Sequence, residues 1–147
     1  MATDKLALLY KLESEKEEKL RVNYSQAQQH LSINQQKLKG LNDFRLEYTQ
    51  QLHLKALAGL QTSGFNQYQS FIKKIEDAIK QQASTVMTAQ QVVEQRKKIW
   101  LAQQVKAKAI EMLINKRALE KQKRLDKAEQ AMLDEFATNQ FVRRKAS

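Results

Sequence analysis

Cysteine and proline are absent from this chain, and glycine occurs only 3 times in 147 residues. Without cysteine there is no disulfide scaffold, no thiol nucleophile and no thiolate-bound metal. Glycine stands only at positions 40, 59 and 64, so the chain is short of the residues that tight β-turns demand. That argues against an all-β or α/β fold. Aromatic residues make up 7%. The mean hydropathy is −0.68, and no apolar run approaches the roughly 18 residues of a membrane span. Met1–Lys5 lacks the apolar stretch of a signal peptide, so the expectation is a chain that begins here and stays in the cytoplasm. A chain of this length suits a single domain.

Charge and glutamine are plentiful. Charged residues make up 29%, the net charge is +10, and there are 20 glutamines. The charge is uneven. Residues 1–57 carry 9 basic and 7 acidic side chains, whereas residues 96–127 alone carry 11 basic and 3 acidic. A segment so basic points to an acidic partner: nucleic acid, anionic lipid or an acidic protein surface.

One interruption divides the chain. Residues 53–66 hold Gly59, Thr62, Ser63 and Gly64, a loop composition. Asn66 followed by Gln69 resembles a capping pair that opens a helix. On either side run long stretches of Lys, Gln, Glu, Ala and Leu, all good helix formers. The reading is two helices, about 4–56 and 66–142, joined by a turn at about 57–65. At 1.5 Å per residue they would be ~80 and ~115 Å long, too long for a compact globule of this size. A coiled coil accommodates them. Arg143, Arg144 and Lys145 suit the C-terminal end of a helix, where cations offset the macrodipole.

The heptad pattern supports this. A 4–3 spacing in the first helix selects Leu20, Tyr24, Ala27, Leu31, Asn34, Leu38, Leu41, Arg45, Tyr48 and Leu52. In the second it selects Tyr68, Ile72, Ile75, Ile79, Gln82, Val86, Ala89, Val93, Arg96, Trp100, Gln103, Ala107, Ile110 and Ile114. Apolar patterning sustained this far argues for a coiled coil. A turn centred at residue 60 pairs residue i with 120 − i. Leu52 then meets Tyr68, Tyr48 meets Ile72, Leu41 meets Ile79, Leu31 meets Ala89, Ala27 meets Val93 and Leu20 meets Trp100. Tyr10 meets Ile110 and Leu6 meets Ile114. The expected architecture is all-α: one coiled-coil domain over 1–147, folded as an antiparallel hairpin. The polar seam residues Asn34, Arg45, Gln82, Arg96 and Gln103 weaken it and fix its register.

Past Ile114 the seam positions turn basic, to Arg117, Lys121 and Arg124. An apolar stripe restarts one step out of phase at Ala118, Leu125, Ala128, Met132 and Phe136. Residues 117–142 therefore read as a helix projecting past the hairpin, with a stripe that wants a partner.

No enzyme constellation is visible. His30 and His53 lack ligand spacing to any acid and read as solvated helix residues. Glu17/Glu18 and Asp134/Glu135 point to different sides of a helix. There is no phosphate-binding glycine loop and no nucleophile elbow. No metal or cofactor is called for.

Two features suit binding. Near the turn, Leu41, Phe44 and Tyr48 follow Lys37 on the first helix. Phe71, Ile75 and Ala78 precede Gln82 on the second. Phe44, Phe71 and Ala78 lie off the seam, so these stripes either spread the packing sideways or form a two-helix docking patch. The second feature is the basic segment 96–127, either a solvated face or a surface for an acidic protein. Nucleic acid fits less well: Ile110, Leu113 and Ile114 interrupt the basic residues, which also follow the zipper, opposite to the bZIP order. Trp100 is the one aromatic there for stacking on single strands.

Three motifs bear a family resemblance. Asn42-Asp-Phe-Arg-Leu-Glu-Tyr48 ends the first helix, Asn66-Gln-Tyr-Gln-Ser-Phe-Ile72 with Ile75-Glu-Asp-Ala-Ile79 opens the second, and Met132-Leu-Asp-Glu-Phe-Ala137 lies near the C-terminus. In this order the chain resembles the FliJ family of the flagellar type III export apparatus. The resemblance implies a hairpin similar to the gamma (stalk) subunit of rotary ATPases. It implies a non-enzymatic protein that binds the hexameric export ATPase, promotes its ring assembly, links it to the cytoplasmic domain of the export gate and handles escort chaperones. It implies a cytoplasmic location, peripheral to the inner membrane at the flagellar base. The family's gate-contact patch falls on Lys37, Leu41, Phe44, Tyr48, Phe71, Ile75, Ala78 and Gln82, with Lys37 and Gln82 in place of the usual Gln and His. The end bearing both termini would enter the ATPase ring, with Lys116, Arg117, Lys121, Arg124, Leu125, Met132 and Phe136 as contact candidates. The alternatives are a basic coiled-coil adaptor for nucleic acid or an anionic membrane surface, and a plain dimerisation rod.

Overall fold

The structure is a computed structural model that describes residues 2–146. It consists of two helices, α1 (Ala2–Leu57, 56 residues) and α2 (Thr62–Ala146, 85 residues). Among the described residues there is no strand. The expected all-α helical hairpin is the observed one.

The chain reverses in four residues. The Gly59 N–H donates to Ala56 O (3.2 Å) and the Leu60 N–H donates to Lys55 O (3.1 Å). These two bonds are those of a Schellman helix end. Gly59 has φ +93°, a left-handed conformation that a Cβ would strain. The reversal is shorter than the turn composition of 53–66 suggests. α2 opens at Thr62, and the Phe65 N–H already reaches Gln61 O at 3.0 Å. Asn66 and Gln69 therefore lie inside the helix and do not cap it. Gly64 sits in the first turn of α2, where a Cβ would come within 2.9 Å of Leu60 Cδ1. The missing side chain makes room for Leu60 to tuck back against the new helix.

The chain divides into two units. The turn unit, residues 17–102, holds most of the apolar seam. Every seam residue expected from Leu20 to Leu52 is buried or half-buried except Arg45, and every one from Tyr68 to Trp100 except Arg96. Ala27, Leu52, Ile75 and Ala89 are the buried apolar residues here. Arg96 is exposed because its guanidinium reaches sideways to Asn23 O at 3.0 Å. Trp100 stacks on Tyr24 with centroids 5.4 Å apart and donates its indole N–H to Glu17 Oε1 at 3.0 Å.

The contacts correct the expected register. Asn34 was to face Val86 and Gln82 to face Leu38. Instead the Gln82 amide donates to Asn34 Oδ1 (2.9 Å) and to Asn34 O (3.0 Å). Asn34 Nδ2 in turn donates to His30 O at 2.9 Å and stands 3.2 Å from His30 Nε2. The displacement is one step of the seam. Between antiparallel helices a 4–3 spacing also meshes after a shift of one seam position, so apolar patterning alone leaves both settings open. Pairing Asn34 with Gln82 satisfies the buried and the half-buried amide, whereas the expected setting places each against an aliphatic side chain.

The terminal unit comprises residues 2–16 and 103–146. Its buried residues are Ala107 and, on α1, Glu13. Leu6, Tyr10, Gln103, Ile110, Glu111 and Ile114 are half-buried. The Gln103 amide donates to Glu13 Oε2 and to Glu13 O, the latter at 3.0 Å. Tyr10 Oη donates to Glu111 Oε2 at 3.4 Å. Past Ile114 every described residue is exposed, and α2 runs on to Ala146.

Candidate functional site

Aromatic side chains gather on one face of the turn unit. Phe44 and Tyr48 lie one turn apart on α1, and Tyr68 and Phe71 nearly one turn apart on α2. The hairpin interleaves them. Phe71 lies 4.7 Å from Tyr48 and 6.3 Å from Phe44, edge-on to the latter, and Tyr48 lies 5.8 Å from Tyr68 (ring centroids). Such offset and edge geometries suit aromatic quadrupoles. The cluster is not sealed: Phe44 and Phe71 remain 41% and 40% exposed. Two aromatic rings half open to water on adjacent helices form the kind of surface that anchors a partner.

The structure sorts the eight patch residues into three roles. Phe44 and Phe71 are exposed, and Leu41, Tyr48 and Ala78 half-buried beside them. Lys37 is exposed on the same helix, one turn before Leu41. Ile75 is only 5% exposed, because it occupies a seam position. It supports the patch and offers a partner almost no surface. Gln82 is half-buried with its amide committed to Asn34. Its seam position turns the side chain inward, so it serves the hairpin first.

Tyr68 belongs to the cluster although the sequence marked it only as seam. Its ring carries Lys55 Nζ 4.8 Å from the centroid, and the same ammonium donates to its hydroxyl. The signal was available: Tyr68 and Phe71 are three apart, the spacing that places two side chains on one helix face.

In the terminal unit, all seven candidate contacts of α2 are exposed: Lys116, Arg117, Lys121, Arg124, Leu125, Met132 and Phe136. Leu125, Met132 and Phe136 are 54%, 71% and 61% exposed. They fall four or seven residues apart and share a helical face. Glutamine–aspartate pairs one turn apart, Gln122–Asp126 (2.9 Å) and Gln130–Asp134 (3.1 Å), reinforce this stretch.

Glu13 is the residue the pattern missed. It occupies a seam position yet is 4% exposed. The hydrogen bond from Gln103 holds its carboxyl below the usual glutamate range. Desolvation opposes this, and Lys106 and Lys16 add to it. Lys16 Nζ and Lys106 Nζ approach the same Oε1 at 3.5 and 3.6 Å. Among the described residues no buried side-chain nitrogen or oxygen lacks a partner, and no group of three or more His, Asp or Glu could hold a metal ion. No helix among them is long and apolar enough to cross a membrane.

Long heptad-patterned helices, a polar-keyed seam and an open aromatic face define a class: all-α, helical-hairpin coiled-coil proteins. Comparison with known proteins narrows it. The model of the family described as "Flagellar FliJ protein" matches residues 1–146, and the chain belongs to that family. A curated relative, the flagellar FliJ protein of Buchnera aphidicola subsp. Acyrthosiphon pisum (strain APS), is 27% identical over 99 residues, covering 67% of this chain and 68% of the relative. No solved structure matches the chain.

Proposed function

We propose that this protein is a non-enzymatic, stalk-like component of the flagellar type III protein export apparatus. In this reading the open aromatic face of the turn unit docks the cytoplasmic domain of the export gate. The exposed basic and apolar stretch of α2 from Lys116 to Phe136 engages the hexameric export ATPase and promotes its ring assembly. Coupling of the two, and the handling of escort chaperones, belong to the same proposal. The protein then works in the cytoplasm, peripheral to the inner membrane at the flagellar base.

The observation that carries this reading is the pair Phe44 and Phe71, two-fifths exposed on adjacent helices and backed by Tyr48. A rim residue that stacks on neighbours and still faces water gains further burial only from a partner. The test is titration of the isolated gate domain against wild type and Phe71→Asp. The substitution should weaken binding by about tenfold or more, as for an interface anchor. The far-UV circular dichroism should stay unchanged, since Phe71 is not a seam residue. Unchanged affinity would count against the docking role. Sedimentation of the export ATPase with nucleotide tests the other arm: a ring should appear only when this chain is present.

A further inference from the structure

The exposed stretch of α2 past Ile114 is divided by charge. Residues 116–124 hold 5 basic side chains and 1 acidic, whereas residues 125–135 hold 4 acidic and 1 basic. The first half is therefore positive and the second negative. Among the described residues neither Lys121 nor Glu135 forms an ion pair. Two copies of this stretch laid antiparallel set each basic half against an acidic one. Parallel copies set like charge against like, which is unfavourable.

The apolar residues fit the same arrangement. Ala118, Leu125 and Met132 recur every seven residues, and Gln122, Glu129 and Phe136 follow them by four, so the six form one seam. With a two-fold axis at residue 127, position i faces 254 − i of the second copy. Phe136 then fills the space over Ala118, Met132 lies against Gln122, and Leu125 lies against Glu129. Along one edge Leu119 meets Leu133, and along the other Lys121 meets Glu135. The axis makes each contact occur twice. Leu119, Leu125, Met132, Leu133 and Phe136, all 54–71% exposed in the single chain, each gain a neighbour. A shift of one heptad in either direction loses the Lys121–Glu135 pair, and parallel copies stack Glu129 on Glu129 in the seam. Asp126, bonded by Gln122 at 2.9 Å, faces its own copy near the axis, the one like-charge contact along the edges.

We infer that the stripe from Ala118 to Phe136 is a self-association surface, and that its occupant is the same stretch of a second copy running antiparallel. Gln122 and Glu129 in the seam, with the Asp126 contact, keep the pairing weak. The stripe is open in the dilute chain and covered when copies are concentrated. The pairing does not rest on the stalk reading. It covers Leu125, Met132 and Phe136, so the self-paired chain and a chain held through those residues by the ATPase ring exclude one another.

The test is sedimentation of the full-length chain alone over rising concentration. Monomer should pass to dimer, with no larger species, because a two-fold contact closes on itself. Met132→Glu should weaken the dimer about tenfold or more. Lys121→Glu and Glu135→Lys should each weaken it about fivefold, since each change acts twice across the axis. The double variant Lys121→Glu/Glu135→Lys should return to within about twofold of wild type, because it rebuilds the pair with its signs exchanged. All three positions are exposed, and far-UV circular dichroism checks that each variant keeps its helices. Rescue by the double variant is a readout that simple unfolding cannot produce. The proposal is overturned if the chain stays monomeric at its highest soluble concentration, if Met132→Glu leaves the dimer unchanged, or if the double variant fails to restore it. It is also overturned if Phe71→Asp abolishes the dimer, which would place the contact at the aromatic face. The ATPase is absent from this experiment, so its failure leaves the stalk reading standing.

Discussion

Outside the reversal, residues 17–102 are helical, as are residues 115–146, yet the two stretches use their apolar residues in opposite ways. In the first stretch Ala27, Leu52, Ile75 and Ala89 are 4–9% exposed, each covered by the facing helix. In the second, Leu119, Leu125, Met132, Leu133 and Phe136 are 54–71% exposed. Helix propensity and local pairs suffice to write both as helix, but only the first has its stripe covered within the turn unit. Periodic apolar residues thus mark where a helix will be buried, and the partner need not lie in the same chain. Within the paired region the seam is itself uneven: Asn34–Gln82 and Glu13–Gln103 interrupt it with bonded polar groups.

The sharpest test applies the same truncation to both stretches. Ile75→Ala, at a position 5% exposed, should lower stability by about 2–5 kcal/mol, the usual cost of emptying a buried site. Urea unfolding followed by far-UV circular dichroism reads it. Next comes the polar key. Gln82→Leu strands the Asn34 carbonyl oxygen of a residue that is 5% exposed, which should cost about 1–3 kcal/mol. Replacing both Asn34 and Gln82 by leucine should recover that loss and loosen the register instead. Disulfide trapping of cysteines introduced on the two helices would reveal the second register. If the double variant stays in one register, the polar pair is not what selects it.

A smaller, pH-dependent effect belongs to Glu13. Its folded-state pKa is lowered, chiefly by the Gln103 hydrogen bond. Its contribution is therefore fully present above the ordinary glutamate range and is lost as pH falls through the lowered value. Thermal melts of wild type and Glu13→Gln should differ at neutral pH and converge in acid. A difference that persists in acid would assign the effect to packing. The smallest change is expected for Leu125→Ala, at a position 54% exposed, which should alter stability by no more than about 0.5 kcal/mol. A larger loss in the isolated chain would mean that the stripe is already covered in solution.

Much of this was legible from the residues. Apart from two arginines, the seam positions from Leu20 to Ile114 are all buried or half-buried, because a heptad repeat fixes which side of a helix meets its neighbour. A long, charged side chain at a seam position can escape to the edge, and Arg96 does so toward Asn23 O. The aromatic patch was found by spacing alone, except for Tyr68, and two of its assigned members turned out to face inward. Leu41, Tyr48, Ile75 and Gln82 all sit on the seam; of these Ile75 is 5% exposed and Gln82 has its amide bonded to Asn34.

The presence of two long helices, the region of the reversal and the identity of the buried face were determined by sequence, through propensity, glycine placement and period. The register was not. A repeat of four and three meshes in more than one setting, so the choice falls to contacts between residues far apart in the chain: Gln82 with Asn34, Gln103 with Glu13, Trp100 with Glu17 and Tyr24. The same holds for the function-bearing surfaces. Phe44 and Phe71 lie 27 positions apart in sequence, and their rings come within 6.3 Å only because the hairpin closes in this register. A periodic pattern says which side of a helix is sticky, whereas three-dimensional pairing decides which sticky residues stay uncovered.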